Sequence, residues 1–417
     1  MFQKTRLFFL AILKKNPEIL WVILFWILVQ STGIIVRAFI PFAHENGGFP
    51  WLTEANPLSN YFYNFTQTWD SIHYSRIAEF WYPAVDHIGK KDYIYAFFPL
   101  YPALIASVTV FTGSITVSMI ALTLLLPLAG FYLLRKFFAL YFSQLDSKIL
   151  TSLALLMPFS LFFFVNYTES LYLILELAVL YFIYKKNQNW FDWIVAILLG
   201  LLIVWNRSVG LLFVGSFFLV YFIYWIIQSL KKRQLSKETS VLVLRTGLLS
   251  FGAGLGLISF FTHNLIRTGN FYVSRTVQDY FGRGSTLNPL EPFGRGIQDI
   301  VNGDHFSRGV FFIPIIVLVL YLVMRKISKD YQALYLFTLA SFVYTLLTIY
   351  LNLTANSLAS TNRYVLTSPL YLIGLPVILL GLLNKYNRLW ILPVIYSILL
   401  LFLLISIAVY TRHLWLG

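Results

Sequence analysis

The sequence predicts an all-α polytopic membrane protein with about eleven transmembrane helices and interfacial helices in its first external loop. Three observations carry this. Hydrophobic residues make up 59% of the 417 and charged residues 12%, with a mean hydropathy of +0.74, which leaves too little polar surface to cover a soluble globule. Apolar runs of spanning length recur from one end of the chain to the other. Lys and Arg, 31 against 17 Asp and Glu, gather in short runs at the ends of those segments, so they are topology signals and not a nucleic-acid surface.

Composition narrows the chemistry further. Without cysteine there is no disulfide framework and no thiolate metal site. The six histidines form no HExxH pair. At the amino terminus, Lys14 and Lys15 interrupt the apolar run and no small-residue cleavage site follows, so the segment is expected to be interfacial and cytoplasmic, not a signal peptide.

The first span is Glu18 to Ile40, and Lys4, Arg6, Lys14 and Lys15 before it put the amino terminus in the cytoplasm. From Pro41 to about Lys91 the chain is too polar to cross, with Glu45, Glu54, Asp70, Glu79 and Asp86, while Trp51, Trp69 and Trp81 suit an interfacial position. Two apolar pieces follow, Tyr93 to Phe111 and Ile115 to Leu134. If both crossed, Arg135-Lys136, Lys148 and every later basic cluster would face outward. With the first piece interfacial or re-entrant, helped by Pro99 and Pro102, they return to the cytoplasm.

Further spans are expected near 149–165, 168–184, 190–205, 209–228 and 241–262, with Lys185-Lys186 and Lys231-Lys232-Arg233 inside. His263 to Arg308 is then a second external loop, rich in Gly and Arg. Spans near 309–325, 331–351, 366–383 and 389–410, with an external loop from Asn352 to Val365, complete the chain.

Under this topology the unusual polar residues collect outside: Asp70 and His73, Asn166-Tyr167-Thr168-Glu169-Ser170, Asn206-Arg207-Ser208 and Asn362-Arg363-Tyr364. A charged group at membrane depth costs about 2.5 to 3.5 kcal/mol on insertion scales, so their convergence points to a polar cavity. Each has a plainer account as well. Asp70 caps a helix through Arg76, or does chemistry on the face it shares with His73, Tyr74 and Ile77. Glu169 is a first-turn carboxylate, Arg207 a snorkelling boundary residue, and the loop arginines a solvated face.

Trp69-Asp70-x-x-His73-Tyr74-x-x-Ile77-Ala78, followed by Phe97-Phe98-Pro99-Leu100-Tyr101-Pro102, resembles the GPI mannosyltransferase 2 family in its bacterial form, within the GT-C superfamily. Tyr167-Thr168-Glu169-Ser170-Leu171, Asn206-Arg207-Ser208-Val209-Gly210 and Asn362-Arg363-Tyr364 before Pro369 extend the resemblance over roughly residues 18–370. Val209 departs from the family's Asn.

The resemblance implies a GT-C fold in one membrane domain: a seven-span module at about 18–262, the external loop 263–308 and carboxyl-terminal spans at 309–410. It implies an inverting glycosyltransferase in the cytoplasmic membrane that takes a sugar, mannose by analogy, from a polyprenyl-phosphate donor to a glycolipid or glycan acceptor on the extracytoplasmic side. Asp70 takes the catalytic carboxylate's place. Arg207 and Arg363 lead the candidates for the departing phosphate, with Arg275, Arg283 and Arg295 behind them. Trp69, His73, Tyr74, Glu169, Asn206 and Tyr364 are candidate substrate contacts. No metal ligand is assigned, although His73 leaves room for a divalent cation. A lipid or glycan transporter (or flippase) and a non-catalytic subunit are the alternatives.

Overall fold

The computed structural model describes residues 17–39, 70–82, 93–185, 189–232, 237–278, 332–354 and 361–411, together with 319 and 322–323. The described residues are helical without strands. Five helical stretches among them are long and apolar enough to cross a bilayer: Ile19–Val36, Ile115–Ala139, Val209–Lys231, Lys237–Thr268 and Leu389–Ala408. Four shorter apolar helices accompany them. The expected span at 309–325 lies almost wholly outside the described residues. Contacts divide the chain into two compact units, one of 1–72, 107–177 and 379–416, the other chiefly of 73–106 and 178–378.

In the first unit, α1 (Pro17–Phe39) packs on α4 (Ile115–Ala139) and α5 (Gln144–Leu156), and α14 (Leu392–Thr411) packs on α1 and α5. Trp26 Nε1 donates to Thr123 Oγ1 at 3.0 Å, tying α1 to α4 with a polar bond that lipid would not supply. On α14 Val394, Ile398, Leu401, Phe402 and Ile405 are exposed. In water such a face would be costly; against acyl chains it is the expected lining.

One expected span differs. The run at 149–165 is not a continuous helix: α5 stops at Leu156, a 3-10 turn occupies Pro158–Phe163, and bends follow to Thr168. Pro158 explains the break, since it lacks an N–H and disfavours helical geometry in Met157 before it. Phe164 then anchors the turn by packing on Phe25 and Phe131, with ring centroids at 4.8 and 6.0 Å.

The stretch at 93–111 folds as a 3-10 turn at Tyr93–Ala96 and helix α3, Leu100–Thr112. At about 1.5 Å per residue, those 13 residues are shorter than a hydrocarbon core of about 30 Å, so α3 does not cross alone.

In the second unit, α7 (Trp190–Asn206) lies along α9 (Lys237–Thr268), and α8 (Val209–Lys232) packs on α9 and on α11 (Gln332–Thr354). Backbones touch where α7 meets α9. A Cβ on Gly252 would run into the Ile197 carbonyl oxygen, and one on Gly200 into that of Leu249. Small residues at such a seam are how membrane helices gain close packing when lipid removes the hydrophobic drive. The start of α7 is ordered by a capping box between Asn189 and Asp192, whose carboxylate also accepts from Lys185 Nζ at 2.7 Å. Arg245 Nη1 donates to the Ile183 carbonyl at 2.7 Å, meeting an orphan carbonyl at the end of α6 (Glu169–Tyr184). The α9 helix continues to Thr268, past the expected loop boundary at 263.

Candidate functional site

The segment singled out at 70–78 is a helix, α2, running from Asp70 to Phe80. Asp70 stands in its first turn, where a carboxylate is favoured by the unpaired N–H groups and the dipole. One turn on, the His73 ring stacks on Phe97 with centroids at 4.5 Å, and Tyr74 meets the edges of Phe97 and Tyr101, each at 5.3 Å. Ile77 is fully buried in a cluster with Tyr82, Ile94, Tyr95, Phe260, Val273 and Val277. His73, Tyr74 and Ile77, the i+3, i+4 and i+7 positions of that face, therefore pack as their spacing predicts, and Asp70 is half-buried in the first turn. Trp69 lies outside the described residues.

Tyr82 ties this helix to the Phe97-Phe98-Pro99 stretch. Its hydroxyl donates to the Phe97 carbonyl at 2.7 Å. Burial, with Tyr74 and Tyr95 adding to it, pushes the phenol well above its ordinary pKa, so the donor stays protonated.

Arg207 and Arg363, 156 positions apart in the sequence, come together on one ring. Arg207 follows the last residue of α7 in extended backbone and is 9% exposed; its guanidinium carbon lies 4.3 Å from the centre of the Tyr364 ring. Arg363, 3% exposed on helix α12 (Thr361–Leu366), lies 5.1 Å from the same centre and donates from Nη2 to Tyr364 Oη at 3.5 Å. Cation–π attraction holds each guanidinium in place at about 0.5 to 2 kcal/mol. Two planar guanidinium forks on one ring have the chemistry to hold an anion with several oxygens.

Local sequence explains the placement of Arg207. The link from α7 to α8 is so tight that a Cβ on Gly210 would stand 2.6 Å from the Ile203 carbonyl oxygen. Gly210 N–H caps the turn by donating to the Arg207 carbonyl at 2.9 Å. Val209 is buried at the start of α8. Asn206, buried at the end of α7, neighbours the arginine on the chain.

The remaining candidates divide. Glu169 opens α6 and is 1% exposed. Arg275 is exposed on the four-residue helix α10, Val273–Thr276, and takes no part in the buried pair. Arg283, Arg295 and the Asn362 side chain lie outside the described residues. Among the described residues no group of three or more His, Asp or Glu side chains gathers to hold a metal ion. Sequence reasoning passed over Glu176, which is 2% exposed, seven residues after Glu169 and therefore on the same face of α6. The signal was a lone acid inside an apolar run.

Fold and composition together define the class: an all-α polytopic membrane protein. No family model matches the chain and no curated protein is similar to it. Among solved structures it is similar to the archaeal oligosaccharyltransferase AglB from Archaeoglobus fulgidus, in complex with an inhibitory peptide and a dolichol-phosphate, at a TM-score of 0.46 and 11% identity. The likeness covers 96% of this chain and 56% of that one, so the chain spans about half the length of that protein.

Proposed function

We propose that the protein is an inverting glycosyltransferase of the GT-C kind, moving a sugar, mannose by analogy, from a polyprenyl-phosphate donor to a glycolipid or glycan acceptor on the extracytoplasmic face of the cytoplasmic membrane. The observation that supports it most is the buried pair Arg207 and Arg363 on Tyr364. A lipid-linked sugar leaves behind a phosphate, and two guanidinium forks match its oxygens better than an acid would.

In the proposed step the acceptor hydroxyl oxygen attacks the anomeric carbon from the face opposite the phosphate. The bond from that carbon to the phosphate oxygen breaks, its electron pair leaves on the phosphate, and the hydroxyl proton passes to Asp70. Attack from the opposite face inverts the anomeric centre. Arg207 and Arg363 stabilise the phosphate as its charge grows. Glu169 accepts hydrogen bonds from sugar hydroxyls, while His73 orients the site from its stack on Phe97.

Donor binding tests the phosphate role. Arg363→Ala is expected to weaken equilibrium binding of polyprenyl-phosphate mannose roughly 10- to 100-fold, as loss of a charged hydrogen bond does. Unchanged affinity contradicts the assignment.

A second reading, a transporter of lipid-linked sugars, draws on Glu176. An acid buried midway along a membrane helix is a common feature of substrate or proton pathways. Sugar transfer in detergent separates the two, because transport needs a sealed compartment and transfer does not.

A further inference from the structure

Most of the irregular stretch between α5 and α6 is buried: every residue from Ser160 to Ser170 is shielded from solvent. Non-helical backbone at membrane depth persists where protein groups satisfy it or where it lines a polar cavity. Nearby polar side chains do the satisfying. Ser160 Oγ donates to the Leu155 carbonyl at 2.5 Å, Gln30 Nε2 to that of Phe164 at 3.5 Å, and Ser170 Oγ to that of Phe163.

Asn166 stands apart from this pattern. It is 0% exposed, and among the described residues neither Oδ1 nor Nδ2 has a hydrogen-bond partner. A carboxamide with both ends bare in the interior is disfavoured, and where one persists it calls for an explanation, of which a group supplied by a substrate is one.

We infer that Asn166 binds hydroxyl groups of a sugar substrate, an inference that rests on the glycosyl-transfer reading above. A carboxamide presents an acceptor and two donors in one plane, which matches adjacent hydroxyls that each donate and accept. Being uncharged, it suits hydroxyl groups better than a phosphate. Glu169, three residues on and in the same compact unit, adds a buried acceptor. Both the transferred and the receiving sugar carry this chemistry.

The test uses the purified full-length chain in detergent with polyprenyl-phosphate mannose as donor and a synthetic lipid-linked mannoside as acceptor. Wild type, Asn166→Ala and Asn166→Val are compared for Tm and for KM of each substrate. Removing an amide without partners costs no folding bond, so Tm stays level or rises in at least one variant. KM is expected to rise about tenfold for the substrate whose sugar the amide holds. A rise confined to the donor assigns Asn166 to the transferred sugar, and one confined to the acceptor assigns it to the receiving sugar. Unchanged KM for both, or a fall in Tm in both variants, overturns the inference while the enzyme reading stands; the Tm fall assigns the amide to an enclosed water or an internal bond. Absence of any transfer by wild type overturns the enzyme reading and this inference with it.

Discussion

A guanidinium near the end of a membrane helix keeps its charge at low cost when it snorkels to water. Arg207 and Arg363 instead lie buried against Tyr364, which fixes both guanidinium planes. Arg207→Lys therefore should not restore the wild-type affinity for donor, since an ammonium lacks the planar fork that stacks and binds two oxygens at once. Tyr82 makes a different residue-scale claim. Tyr82→Phe leaves the Phe97 carbonyl without its 2.7 Å donor and is expected to lower stability by about 1 to 3 kcal/mol, read as a drop in Tm. Because the folded-state pKa is raised, that contribution is full below the ordinary tyrosine pKa of about 10 and is lost as pH climbs through the folded value. At this scale the sequence marked helix ends wherever polar residues interrupt apolar runs, as at Asp70, Glu169 and Arg207. It was silent on which of them meet. Arg363 finds Arg207 through folding of the chain, and no spacing in the sequence records a separation of 156 positions.

At the scale of elements, the seam between α7 and α9 decides where Arg207 stands, because that residue hangs from the end of α7. Trp205 reinforces the seam by donating from Nε1 to the Gly256 carbonyl at 3.1 Å and to Ser259 Oγ at 2.9 Å. Gly252→Leu would force the two backbones apart and is expected to cost about 1 to 3 kcal/mol or more, seen as a lowered Tm together with weaker donor binding. Retention of both would show that the glycine contact is dispensable. Helix existence was legible here: apolar runs at 190–205 and 209–228 match α7 and α8 within a few residues. The break after Leu156 was not, because the Leu and Phe residues of 155–164 look alike in helix and 3-10 turn, and only Met157-Pro158 marks the change. The glycine seam was likewise invisible to a hydropathy scan, which weighs burial and not closeness of approach.

For the whole molecule, hydropathy and basic runs were enough to read an all-α membrane protein, since bilayer thickness sets element length. They carry no statement of chemistry. Buried polar residues among apolar helices serve an enzyme and a transporter equally, and the difference lies in what happens to the bond between sugar and phosphate. The most direct measurement is transfer of labelled mannose from polyprenyl-phosphate mannose to a lipid-linked mannoside by the purified chain in detergent, wild type beside Asp70→Asn. The account predicts transfer by wild type and a loss of about 100- to 10,000-fold in the variant, with its Tm preserved. Full transfer by Asp70→Asn would remove the proposed base, and no transfer by wild type would contradict the enzyme itself.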